Sequence, residues 1–240
     1  MWKQHTDLES VKKVCLTFLH MPLRETEFGK AIAVHPIFDS FYQMDESGDG
    51  EQRIFDMSED HDACARLILR CEKKINSAKC CDDIINIIRP PYRLVALKYM
   101  KRYMSLGDFS KAFGDVWVES ENPNGDINVP PNESAKYFKQ ADKRKLMNDA
   151  EYEYYANLPE RMTIYRGVSV GRVKNGLSWT ADEKIAVWFA NRFNNNGKRG
   201  YLLKADILKE NVLAYFCRRG EEELVVYPKD IEQIERIELK

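Results

Sequence analysis

Histidine is scarce in this chain. His5, His20, His35 and His61 all precede position 62, and none falls at the spacing of a zinc site. Cysteine occurs six times but never as C-x-x-C, and the adjacent Cys80 and Cys81 are poorly placed to bridge each other. No bound metal is expected from these patterns. A long apolar run is also missing: the stretch 14–19 is flanked by charge and closed by Pro22, far short of a bilayer span. No signal peptide is read, so the expectation is a reduced, cytoplasmic protein with no membrane partner. Nor does one sign of charge dominate. The 37 basic and 38 acidic residues leave a formal net charge of −1, so no global field draws the chain to nucleic acid or membrane. Internal repeats and low-complexity tracts are lacking too.

What is present suits an ordinary globular protein: 240 residues, 44% hydrophobic and 31% charged, enough for one domain or two small ones. Leu8, Val11, Cys15, Phe18 and Leu19 form one stripe, which predicts an amphipathic helix over 8–20. Helices are also predicted over 63–75, 82–88 and 93–104, with Pro90-Pro91 as a break between the last two. Residues 1–90 are thus expected to form a mainly helical region, and 91–240 a second domain. Asn122-Pro123-Asn124-Gly125-Asp126 and Pro130-Pro131 read as a polar, turn-rich connection, and 136–158 as one or two helices. A basic cluster there, Lys136, Lys139, Lys143, Arg144 and Lys145, reads as a solvated helix face. After Pro159, stretches 163–168, 200–207, 222–227 and 236–239 are strand-like, with a helix predicted over 183–193. The fold class expected is α+β.

Asp45-Glu46-Ser47-Gly48-Asp49-Gly50 has the alternating oxygens and the glycine of a calcium loop. Asp56, however, stands where a Glu normally completes the shell, and Gln52 where an apolar residue belongs. The stretch is read as a solvated acidic turn.

Three segments in the last third carry candidate chemistry. In Ile164-Tyr165-Arg166-Gly167-Val168 an arginine alternates with apolar residues, which on a strand turns it toward a cleft. Its fork suits a phosphate or diphosphate, and Gly167 lets a ligand approach the backbone closely. In Leu177-Ser178-Trp179-Thr180 the alternate hydroxyls point one way on an extended strand, toward a carboxylate or a ribose. The ordinary reading is a cap for the following helix. In Gly220-Glu221-Glu222-Glu223-Leu224-Val225-Val226, Glu221 and Glu223 would share one strand face, and paired carboxylates suit a site where positive charge develops. Here the ordinary reading is a charged edge that resists aggregation.

In this order the segments resemble the R-S-E class of ADP-ribosyltransferases. Tyr165-Arg166-Gly167 looks like the family's first motif. Ser178-Trp179-Thr180 is similar to its Ser-Thr-Ser motif, with Trp179 at the usually small middle position. Glu221-Glu222-Glu223 resembles its Glu-x-Glu motif. Phe189-Ala190-Asn191-Arg192 resembles the Phe-Ala-x-Arg run of clostridial toxin members. The likeness covers roughly Thr163 to the C-terminus.

The resemblance implies a split β-sandwich, two small sheets around a NAD cleft, with motif core 161–240. It implies that Arg166 and Arg192 hold the NAD diphosphate, that Gly167 grips the nicotinamide amide, and that Phe189 stacks on that ring. Ser178 and Thr180 complete the cofactor set. Glu223 would bond the ribose 2′-hydroxyl and stabilise the oxocarbenium-like transition state, Ser178 would fix Glu223, and Glu221 would orient or deprotonate the acceptor. Tyr215 and Phe216, read as part of a loop before the acids, would present the acceptor by stacking. A Glu at position 221 goes, in the family, with arginine on a protein, and nucleic acid is the other acceptor considered. A toxin, phage or defence effector with an inhibitory partner protein is the biological role the likeness suggests. The competing readings are a NAD glycohydrolase that uses water, an inactive binding module on the same fold, and a helical partner-binding protein.

Overall fold

The structure, a computed structural model, describes residues 2–46, 52–193 and 199–239. Residues 47–50 of the calcium-loop candidate lie outside them. The chain divides into two compact units, Met1–Asp108 and Phe109–Lys240, rather than at residue 90. Among the described residues no helix is long and apolar enough to cross a membrane.

The first unit contains helices α1 (Leu8–Leu19), α2 (His61–Ser77), α3 (Cys81–Ile85) and α4 (Pro90–Met100). Pro90 and Pro91 begin α4 instead of breaking the chain, because the first N–H groups of a helix lack an acceptor in any case. With that start, α4 packs on α1 and carries the unit past residue 90. Two hairpins interrupt the helices: β1 (Arg24–Thr26) with β2 (Gly29–Val34), and β3 (Tyr42–Glu46) with β4 (Gln52–Asp56). The sequence reading of a mainly helical region missed them, since strands so largely exposed show no clean inside-outside alternation. Asp45 is not the solvated acid expected. It is buried, and its carboxylate accepts from Arg66 Nη2 at 2.6 Å. Asp56 accepts from Lys30 Nζ at 2.8 Å. Both acids are therefore already neutralised by protein cations.

The second unit follows from the first turn of α5 (Leu106–Glu119). Phe109, Phe113 and Trp117 recur every fourth residue and form one buried stripe on α5. They meet Phe138 of α6 (Pro131–Gln140), with ring centroids 4.7 Å apart for Phe113 and 4.9 Å for Trp117. Each such side chain removed from water contributes ~1.5–3 kcal/mol. Then come α7 (Lys143–Leu146) and α8 (Asp149–Ala156), each begun by a side-chain cap, Asp142 and Asn148. The basic cluster is only partly a solvated face. Lys143 Nζ turns inward, donating to the carbonyls of Phe138 (3.0 Å) and Leu213, and burial pushes its amine down to about 8.

The strands β5 (Arg161–Val168), β6 (Ser178–Thr180), β7 (Tyr201–Leu208), β8 (Val212–Phe216), β9 (Glu223–Val226) and β10 (Glu235–Glu238) make one antiparallel sheet, ordered β10-β7-β5-β6-β9-β8. β5 pairs with β7 along its whole length, from Arg161↔Leu208 to Val168↔Tyr201. With β6 it pairs at one position, Tyr165↔Thr180. The sheet is thus two three-stranded halves joined at a point. Helix α9 (Glu183–Asn191), capped by Asp182, lies on β5 and β7 through Ala186, Ala190 and Leu202.

Candidate active site

Arg166 sits in the interior half of the β5 alternation, buried with Ile164 and Val168. Its Nη1 donates to the Ser178 carbonyl at 2.6 Å and its Nη2 to the Val173 carbonyl at 2.8 Å. The guanidinium thus spends one N–H of each terminal nitrogen on the protein and keeps the others. It ties β5 to β6 across the point where they separate. Nε is buried and has no protein partner. Burial pushes the guanidinium down to about 10, opposed by the negative charge of Glu223, so it stays cationic at neutral pH. Gly176 makes room for it: a Cβ there would lie 2.2 Å from Arg166 Nη2.

Gly167 also has a packing role. A Cβ on it would meet the Ala186 carbonyl oxygen at 2.0 Å and the Ala190 nitrogen at 2.6 Å. The glycine lets α9 press onto β5, which brings Phe189 to the cleft.

Ser178 and Thr180 lie two residues apart on β6, and Glu223 begins β9 opposite Thr180. Ser178 is therefore the diagonal cross-strand neighbour of Glu223, and its hydroxyl favours the ionised form of that carboxyl. The same Oγ accepts from Asn124 Nδ2 at 2.7 Å. Thr180 is buried, and its hydroxyl accepts from Asp182 N at 3.1 Å, steadying the turn into α9. The capping role weighed for this segment thus falls to Thr180 and Asp182, while Ser178 faces the acid.

Strand β9 starts at Glu223, so Glu221 and Glu222 are not on the strand as their pattern suggested. Gly220 (φ 70°) and Glu222 (φ 45°) both take the left-handed backbone region, and this turn, rather than a pleat, swings Glu221 to the cleft. A left-handed Glu costs of order 1 kcal/mol and is held here by its surroundings. Arg218 clamps the turn, bonding Glu151 of α8 through Nε at 3.2 Å and Asp115 of α5. Glu151, fully buried, also accepts from Cys217 N at 3.1 Å. The Glu223 carboxyl accepts from Trp117 Nε1 at 3.1 Å. Burial pushes it above the usual carboxylate range and Glu221 adds to this, while the bonds from Ser178 and Trp117 and the charge of Arg166 pull it back.

A cleft of about 940 Å³, open mouth included, lies where β5 and β6 part. Arg166, Gly167, Ser178, Thr180, Phe189, Arg192, Glu221 and Glu223 all line it. Arg172, Arg192 and Arg219 also border it. Arg192 lies over Trp188 (5.3 Å) and Phe193 (5.2 Å).

Tyr215 and Phe216 are not at the cleft. They belong to β8, not to a loop, and both are buried. Tyr215 stacks on Tyr154 at 4.0 Å and Phe216 packs toward Phe138. All five residues of β8 are buried, so the run shows no alternation by which to recognise a strand, and the acceptor role assigned to the two rings has no surface to act from. Conversely, Trp117 and Asn124 touch the central pair and were not singled out. Their signals existed only in part: Trp117 ends the every-fourth-residue aromatic stripe of α5, while Asn124 sits in a turn (Pro123–Gly125) like any turn asparagine.

No protein-family model matches the chain, and no curated protein or solved structure matches it with significance.

Proposed function

We propose that the second unit is a NAD-dependent mono-ADP-ribosyltransferase on an ADP-ribosyltransferase-like split β-sandwich. The observation that carries the reading is the convergence of Arg166, Ser178 and Glu223 in one cleft. Glu223 there accepts from Trp117 beside Ser178, its diagonal cross-strand neighbour, while lining the open volume. A half-buried carboxylate held by a donor is a fixed negative charge, suited to a cation that develops on a ribose.

The cleft residues fit NAD. The orphaned Arg166 Nε offers an interior donor, and Arg172, Arg192 and Arg219 are the guanidiniums at the cleft wall for the diphosphate. Phe189 gives the nicotinamide an apolar wall. As the bond between nicotinamide and ribose C1′ breaks, its electron pair leaves with nicotinamide and C1′ becomes cationic. Glu223 accepts the 2′-hydroxyl proton bond and stabilises that charge, an interaction strongest in the transition state. Glu221 is ion-paired only loosely, 3.8 Å from Arg219; it orients the acceptor whose nitrogen attacks C1′ and takes the proton that this nitrogen gives up. Arginine on a protein is the acceptor class favoured.

The test is incubation with NAD labelled in its adenylate, together with a cell lysate, beside Glu223→Gln. Label lost to protease but not nuclease supports transfer to protein, and the reverse means a nucleic-acid acceptor. Free ADP-ribose alone means a hydrolase. No NAD turnover in any lysate overturns the enzyme reading.

A further inference from the structure

We infer that Asn124 is a positioning residue: it sets the direction of the single proton of Ser178 and aims it at Glu223. The assignment follows from what each atom can do. The backbone N–H of Leu177 can only donate, so the Asn124 atom 2.6 Å from it is the carbonyl Oδ1. The other end of the amide is then the NH₂, which can only donate, and it lies 2.7 Å from Ser178 Oγ. Ser178 must accept there, and its own proton is left to go elsewhere. The acceptor diagonally across the strand pair is the Glu223 carboxylate, whose ionised form Ser178 favours. Asn124 is buried, so water does not compete for these bonds. A serine hydroxyl is free to rotate, and with a lone pair held by Asn124 its proton loses the orientations that point away from Glu223. With the rotor fixed, Glu223 is bonded by two donors, Ser178 and Trp117, both favouring its anion despite burial.

Asn124→Asp reverses the polarity. One carboxylate oxygen still accepts from Leu177 N–H, but the other now accepts from Ser178 and draws its proton away from Glu223. The consequence for NAD cleavage rests on the reading of Glu223 proposed above; the direction of the proton does not.

The probe is the Trp117 indole N–H, whose NMR signal reports the ionisation of the carboxyl it bonds. It is assigned among the four tryptophans by Trp117→Phe. The protein without NAD is titrated as wild type, Asn124→Asp, Ser178→Ala and the double variant. The midpoint is expected to rise by ~1 pH unit in Ser178→Ala, the worth of one bond to a charged group. Asn124→Asp is expected to raise it more in the wild-type background than in the Ser178→Ala background, where only the added charge acts. Equal shifts in the two backgrounds overturn the inference. If Asn124→Asp does not fold, Asn124→Ala serves: a midpoint between those of wild type and Ser178→Ala supports it, and an unchanged midpoint overturns it. Where NAD is turned over, Asn124→Ala lowers kcat with KM little changed. A titration that behaves as stated without any NAD turnover keeps the proton direction and removes the transferase reading alone.

Discussion

The indole Nε1 of Trp117 donates to Oε1 of Glu223 at 3.1 Å, although 106 positions separate them. The aromatic stripe that builds the core of α5 thus ends on the acid at the head of β9. Packing and chemistry share one residue. Trp117→Phe keeps most of the apolar contact with Phe138 and removes the donor. Its midpoint of unfolding in urea is expected to move little, while kcat for NAD cleavage falls about 10-fold, one charge-assisted bond of ~1.5 kcal/mol. A large loss of stability with kcat unchanged would mean that the bond is incidental.

The raised ionisation of Glu223 has a cost in stability with a definite sign. Its folded value lies above the ordinary 4.5, so the native state binds more protons than the unfolded one between that value and the raised one. Stability therefore falls as pH rises through that window and stays lower above it. Glu223→Gln removes the buried charge while keeping an acceptor for Trp117. It is expected to raise Tm by a few degrees at pH 7 and by less at pH 4, measured by calorimetry.

Lys143 gives the same kind of linkage in the opposite direction. Burial lowers its amine from 10.5 to about 8, so between those values the unfolded state binds the extra proton. Stability contributed by this group is expected to rise with pH from about 8 to 10.5. Lys143→Met should flatten that part of the unfolding curve relative to wild type. Parallel curves would contradict it.

Two structural clamps place the acids, and both are open to mutation. Gly176→Ala puts a Cβ against the Arg166 guanidinium and is expected to cost ~1–3 kcal/mol, with loss of NAD cleavage as the tie between β5 and β6 gives way. Glu151→Ala leaves Arg218 and the Cys217 N–H without their buried acceptor, and ~3 kcal/mol is expected to be lost in urea unfolding.

The parts of this site legible in the sequence were those where one residue type has one job. Strand alternation put Arg166 inward, and the order of Arg166, Ser178 and Glu223 marked three segments that the fold brings together. What each residue does was less legible, because it depends on neighbours far along the chain. Arg166 reads as a phosphate ligand, and nothing in its segment shows that it also holds the carbonyls of Ser178 and Val173. Gly167 reads as a ligand approach, and it lines the cleft while also admitting α9. Tyr215 and Phe216 looked like a loop because a strand buried on both faces has no period. Asn124 carried no signal at all. Its role comes from two bonds made more than fifty positions away.

The most direct test of the convergence of Arg166, Ser178 and Glu223 is nicotinamide release from NAD, measured for wild type and Glu223→Gln side by side after both are shown to fold. Release by the wild type, reduced ~10²–10³-fold in the variant, is the result expected when a fixed carboxylate stabilises the transition state. Equal release by the two proteins would contradict it.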